Sequence, residues 1–163
     1  MVYDREGKYG HLFMQETILP ATHTDPVIKA RYERFGKRVH WVDGNNMPGS
    51  FQMNTSWWYK ANKELLDQPG SMAGKPHSHP FPEILGFYGS DPENPFDLGG
   101  EVEFHVDGEV HIITKSTMVF LPPNLPHCPI FVLKCDRPIF HFSVVMNQIY
   151  SAAHEDEPTF EAK

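Results

Sequence analysis

Three things are scarce in this chain. Cysteine occurs twice in 163 residues, and basic residues number 14 against 21 acidic ones. The apolar run Pro129–Leu133 is stopped by Lys134, far short of the roughly 20 residues that a membrane-spanning helix needs. The N-terminal MVYDREGKYG lacks the basic-then-apolar order of a secretory leader, so the expectation is a cytoplasmic protein without membrane contact. A net charge of −7, with histidine neutral, argues against a broad basic surface and therefore against nucleic acid as a partner. The cysteines, Cys128 and Cys135, bracket PIFVLK. If that stretch is a strand, their Cα atoms lie roughly 23 Å apart at about 3.3 Å per residue, too far for a disulfide. No internal repeat is visible.

What the chain does have is punctuation. Fifteen prolines and 12 glycines argue against a helical bundle, while 40% hydrophobic residues in one domain's length suffice for a core. One helix is signalled: Asp25-Pro26 offers an N-cap and a first-turn proline, and VIKARYERF runs on to Gly36. A helical turn is expected at Lys63–Leu66 within a loop over 61–75. Strand patterns cover Arg38–Val42 and Ser50–Lys60, then Glu101–Val106 and Glu109–Lys115 joined by Asp107-Gly108, a strong hairpin signal. Thr117–Leu121, Ile130–Lys134 and Pro138–Val145 follow, and Gly89–Gly100 reads as a turn-rich loop. Many short antiparallel strands with dense turns describe an all-β barrel or sandwich.

Chemistry concentrates in Pro76-His77-Ser78-His79-Pro80-Phe81-Pro82-Glu83. Histidines two apart share one face of a strand but splay by about 200° on a helix, and the prolines exclude a helix interior. Glu83 has the parity of His77 and His79, so a continued strand predicts all three on one face. His127, after the turn Pro122-Pro123-Asn124-Leu125-Pro126, is the fourth candidate, deliverable by a neighbouring strand. A lone histidine in a strand is ordinarily a surface or satisfied core residue. Three with a glutamate at these positions point to one divalent transition metal ion, with iron, manganese, nickel, copper and zinc all suited to imidazole plus carboxylate. Four protein ligands leave room for water or substrate.

These residues resemble the two motifs of the cupin superfamily. The first, HxHxxxE, is matched by His77, His79 and Glu83; the second, PxGxxH, by Pro122 and His127, with Asn124 at the glycine position. Departures are Ser71 and Ser90 where the family has glycines, with Gly70 and Gly89 adjacent, and Phe131 where an asparagine is frequent. The resemblance spans about residues 50–145. It implies a single cupin-type β-barrel (jelly roll) over 50–146, flanked by an N-terminal extension, 1–49, carrying one short helix and packing on the barrel. An acidic C-terminal tail occupies 147–163. Exchange of edge strands, frequent in the family, implies a homodimer.

The same reading assigns metal-ligand roles to His77, His79, Glu83 and His127, and a proton-transfer role to Glu83 if it swings off the ion. His141, in PIFHFSVV, is a candidate acid/base group. Parity from Glu83 turns Leu85 and Phe87 inward as pocket walls, and alternation allows only one of Trp57 and Trp58 to face the pocket; Trp58 is the candidate. His11, His23, His40 and His154 read as incidental. The expected function is a metal-dependent enzyme of oxygenase, lyase, decarboxylase or isomerase type acting on a small organic molecule. The alternative is a non-catalytic small-molecule-binding or sensing protein; metal content separates the two.

Overall fold

A computed structural model describes residues 7–20, 23–66, 75–149 and 153–154. Among these residues, ten strands form two antiparallel sheets of five. In chain order they are β1 (Gly36–Val42), β2 (Gln52–Trp58), β3 (His77–Ser78), β4 (Glu83–Tyr88) and β5 (Asp97–Val106). Then come β6 (Glu109–Lys115), β7 (Thr117–Leu121), β8 (His127–Cys135), β9 (Ile139–Val145) and β10 (Ala153–His154). One sheet runs β1-β2-β9-β4-β7 and the other β10-β3-β8-β5-β6. The all-β reading therefore holds. Strands from outside 50–146 complete each sheet: β1 pairs with β2, and β10 with β3.

Local chemistry accounts for the elements. Helix α1 (Pro26–Tyr32) starts where expected, Asp25 Oδ1 accepting from the Val27 and Ile28 amides at 2.8 and 3.1 Å. It ends before Phe35, because Gly36 already begins β1 with little room for a side chain beside Trp58. Helix α2 (Lys63–Leu66) matches the expected turn, and residues 67–74 of the expected loop lie outside the described residues. Asp107 and Gly108 both take positive φ, 48° and 81°, the backbone of a type I′ hairpin. The Gly89–Gly100 loop is shorter than read, since β5 begins at Asp97.

The core lies between the sheets. Trp58, Leu85, Phe87, Leu121 and Ile139 come from one, Leu98, Val102, Phe104, Phe131 and Val132 from the other. Phe87 and Phe104 meet across the gap with ring centroids 6.2 Å apart. Each such buried side chain contributes about 1.5–3 kcal/mol by leaving water.

Strand β2 inverts the usual amphipathic rule. Its polar set, Gln52, Asn54 and Ser56, shares the inner face with Trp58, while Trp57 lies outside, 38% exposed against 6% for Trp58. Outside, Trp57 packs on Phe140 of β9 at 5.1 Å. In β1 the register slips between Arg38 and His40, and the His40 amide donates to Thr55 Oγ1 at 3.1 Å. That bulge turns both Arg38 and Trp41 inward, three residues apart, which a regular strand forbids.

Candidate metal centre

His77 and His127 face each other directly across the β3–β8 ladder. After Ser78 the chain leaves that sheet, and Pro80 and Pro82 interrupt the ladder before Glu83 opens β4 in the opposite sheet. The single strand expected over 77–83 is therefore absent. The ligand residues converge because the chain crosses the interior, bringing an imidazole pair from one sheet to a carboxylate from the other. His79 sits in the crossing, its carbonyl accepting from the Asn124 amide at 2.8 Å. Asn124 takes φ 64°, the left-handed backbone that the glycine position of the motif demands and asparagine tolerates. That bond ties the turn before His127 to the first motif.

Proton placement follows from the partners. His79 Nδ1 lies 2.7 Å from the Phe81 carbonyl and His127 Nδ1 2.9 Å from the Leu125 carbonyl. A carbonyl only accepts, so both Nδ1 atoms carry a proton, which leaves Nε2 as the ring atom turned to the site. Those two Nε2 atoms lie 3.0 and 3.2 Å from one oxygen, Glu83 Oε2. The other oxygen, Oε1, accepts from Ser143 Oγ at 2.6 Å, which fixes the carboxylate's aim. All three ligand residues are buried.

His79 Nε2 is within hydrogen-bond distance of Oε2, but Oε2 leaves the second ring unsatisfied. His127 Nε2 shows the consequence: buried and close to Oε2, it still makes no hydrogen bond. The donor set fits a metal ion on that observation, with imidazole nitrogen and carboxylate oxygen of the type that first-row divalent ions take. His79, Glu83 and His127 bring their ligand atoms within 4.8 Å of one another; His77 forms a second such group with His127 and Cys128. Three of the four expected ligands thus form one group, and His77 joins His127 only in the second, which Cys128 completes.

Electrostatics agree with a buried charged site. Burial alone raises the Glu83 carboxyl, but the approach of His127 and the bonds from His79 and Ser143 outweigh it and hold the group at about 2. Burial, reinforced by His127, lowers His77 to about 4. Burial pushes the Cys128 thiol up to about 12, with the Glu83 charge adding to the shift, so without a metal it stays protonated.

Beside the ligands lies a cavity of about 230 Å³. Leu85 lines it, while Phe87, fully buried, sits one layer back against His141. Trp58 faces inward and also stacks on His141, rings 4.2 Å apart, without lining the cavity. His141 lines the cavity between those rings, Nδ1 donating to the Gly86 carbonyl at 3.0 Å. Burial drops it to about 4, so it is neutral at pH 7 with its Nε2 lone pair free of that bond.

Sequence reasoning missed Arg38, Trp41, Asn54 and Ser143, all lining this cavity, and took His23, which also lines it, as incidental. Asn54 and Ser143 were findable, for each holds an inner parity with a residue already picked. Arg38 and Trp41 were not, because only the bulge turns both inward.

No protein-family model matches the sequence, and no curated protein matches it. Among solved structures, the chain is similar to an oxalate oxidase in complex with glycolate at 14% identity and TM-score 0.48, covering 88% of this chain and 63% of that one. It is also similar to the polyketide cyclase RemF from Streptomyces resistomycificus at 12% identity and TM-score 0.44, covering 76% and 71%. An RmlC-like cupin from Shewanella frigidimarina follows at 18% identity and TM-score 0.32, covering 58% and 65%. The chain thus spans less than two thirds of the oxalate oxidase's length. The two facing antiparallel sheets are the all-β architecture expected from the sequence, and His77, His79, Glu83 and His127 stand at the positions that resemble the two motifs.

Proposed function

We propose that the chain is a metal-dependent enzyme that converts a small organic molecule at the His77, His79, Glu83 and His127 centre. The observation that supports this most is the convergence of two buried imidazole Nε2 atoms on Glu83 Oε2, with His127 Nε2 left without a hydrogen bond. A divalent ion held there supplies a Lewis acid that polarises a substrate oxygen.

The chain's own groups have separable tasks. Ser143 holds Glu83 Oε1, so the carboxylate stays aimed at the imidazoles; released from that bond, Glu83 is the nearest base for a substrate proton. His141 is too weak a base to carry a proton at pH 7, and its Nε2 accepts a hydrogen bond from a substrate hydroxyl instead. Leu85 and Ile130 give the cavity apolar walls that keep water from competing. The reaction falls within the oxygenase, lyase, decarboxylase and isomerase types. The exposed Met118 and Phe120 on edge strand β7 support a homodimer, here placed in the cytoplasm.

The test is a substrate screen of the protein loaded separately with iron, manganese, nickel, copper and zinc, with and without dioxygen. Turnover that His127→Ala abolishes supports the reading. Turnover unaffected by that change, or ligand binding without turnover under every condition, favours a binding protein instead.

A further inference from the structure

Among the described residues, Arg38 is the one arginine or lysine that lines the cavity, reaching it from β1, the far strand of the sheet that carries Glu83. The β1 bulge puts it in a cross-sheet row with Ser56, His141 and Phe87. Its guanidinium lies over the Tyr32 ring, 4.2 Å from the centroid, and burial lowers its pKa. Among the described residues no carboxylate pairs with it and no acceptor takes its hydrogen bonds. A half-buried guanidinium left without an anion is costly, and its planar fork of donors matches a carboxylate in two parallel hydrogen bonds.

The cavity joins this cation to the ligand set. Arg38 lines it from β1, Asn54 from β2, His141 and Ser143 from β9, and Glu83 from β4. Three inter-strand steps of about 4.8 Å separate the backbones of β1 and β4 by roughly 14 Å, and side chains reaching in from both ends shorten the gap to the length of a small acid. At about 230 Å³ the cavity holds roughly eight water volumes, room for a small molecule only.

We propose that Arg38 is the anchor for a carboxylate on the substrate, holding a small organic acid across the cavity with its reactive end at the Glu83 and His127 side. The Asn54 amide lies on the same inner face beside it and provides a further donor. One guanidinium balances one carboxylate, whereas a doubly charged phosphate leaves an excess negative charge in a cavity that already holds Glu83. The inference rests on the proposed function for the reactive end, and it is tested without relying on turnover.

The experiment titrates acetate, lactate and benzoate, each against its neutral amide, and inorganic phosphate into full-length protein. Binding is read by calorimetry and by tryptophan fluorescence, before and after metal loading. At least one acid is expected to bind the parent about tenfold or more tightly than its amide, the size of a charge-assisted pair. Arg38→Gln erases that preference while amide binding and thermal unfolding stay near the parent, and Arg38→Lys restores part of it. Acids and amides binding alike in the parent, no acid binding at all, phosphate preferred over every acid, or an undiminished preference in Arg38→Gln each overturn the anchor. A carboxylate preference dependent on Arg38 in protein that takes up no metal keeps the anchor and defeats the metal-enzyme reading. Metal uptake without such a preference does the reverse.

Discussion

His127 Nε2 lies 3.2 Å from Glu83 Oε2 without a hydrogen bond, while its own Nδ1 donates to the Leu125 carbonyl. His79 Nε2 approaches the same oxygen from the other side at 3.0 Å, with its Nδ1 on the Phe81 carbonyl. Backbone carbonyls on a turn and a crossing thus set the tautomers of both rings before any ligand arrives.

Ser143→Ala follows from this geometry. It removes the bond that holds Glu83 Oε1, leaving the ligands in place but the carboxylate free to rotate. Metal affinity is expected to fall by about 10–100-fold, the usual cost of losing an orienting partner, with the metal-free protein still folded. Competition with a chromophoric chelator measures it. An unchanged affinity means that Ser143 does not position Glu83.

Glu83→Gln exchanges the charged acceptor for a neutral amide. In metal-free protein the new amide nitrogen donates to the imidazole Nε2 that the carboxylate leaves without a hydrogen bond. Metal affinity is expected to drop steeply while the thermal stability of the metal-free protein holds or rises. Calorimetric binding and differential scanning on the same sample check both halves. A large stability loss without metal means that the carboxylate serves the fold.

His141 makes metal-free stability depend on pH. Its pKa stands at about 4 in the fold against 6.5 in the unfolded chain, chiefly through burial. Between those values the unfolded state binds the proton that the folded state refuses, so stability is fully present above about 6.5 and falls as pH drops toward 4. At 1.36 kcal/mol per pKa unit the full loss is roughly 3 kcal/mol. Urea unfolding with chelator present, at pH 7 and 4.5, is expected to show part of that fall in the parent. It shrinks in His141→Phe, which keeps a ring between Trp58 and Phe87. His77, shifted the same way, retains its share. Equal slopes in the two proteins contradict the assignment.

Phe87→Ala tests the packing behind the site. Phe87 is fully buried and touches both His141 and Phe104, so its loss is expected to cost about 3–5 kcal/mol and to loosen His141. Denaturant unfolding measures the first effect. A cost below about 1 kcal/mol means that the two sheets do not close over Phe87.

Much of the fold was legible in the sequence. The Asp25-Pro26 start, the Asp107-Gly108 hairpin and most strand positions have local causes that a short window contains. Type and spacing picked the four candidate residues, of which the structure groups His79, Glu83 and His127, but not for the stated cause. Parity along one continued strand was expected to align Glu83 with His77 and His79, whereas Pro80 and Pro82 break the ladder and carry the chain to the other sheet. Arg38 and Trp41 were hidden for a related reason, since a bulge changes parity without any residue that announces it. Strand β2 shows the remaining difficulty. Phe51, just before it, and Trp57 lie exposed, while Gln52, Asn54 and Ser56 share the inner face with Trp58, so the rule that apolar means inside misplaces most of the strand.

The central claim is a metal ion held by His77, His79, Glu83 and His127. Elemental analysis by mass spectrometry, on protein purified without affinity-tag histidines or added metal, tests it most directly when the parent is run beside His127→Ala. The account predicts close to one equivalent of a divalent transition metal in the parent and almost none in the variant, because His127 belongs to both groups of candidate ligands. A parent that is metal-free as purified and takes up none on loading, or a variant that keeps the parent's full equivalent, contradicts it.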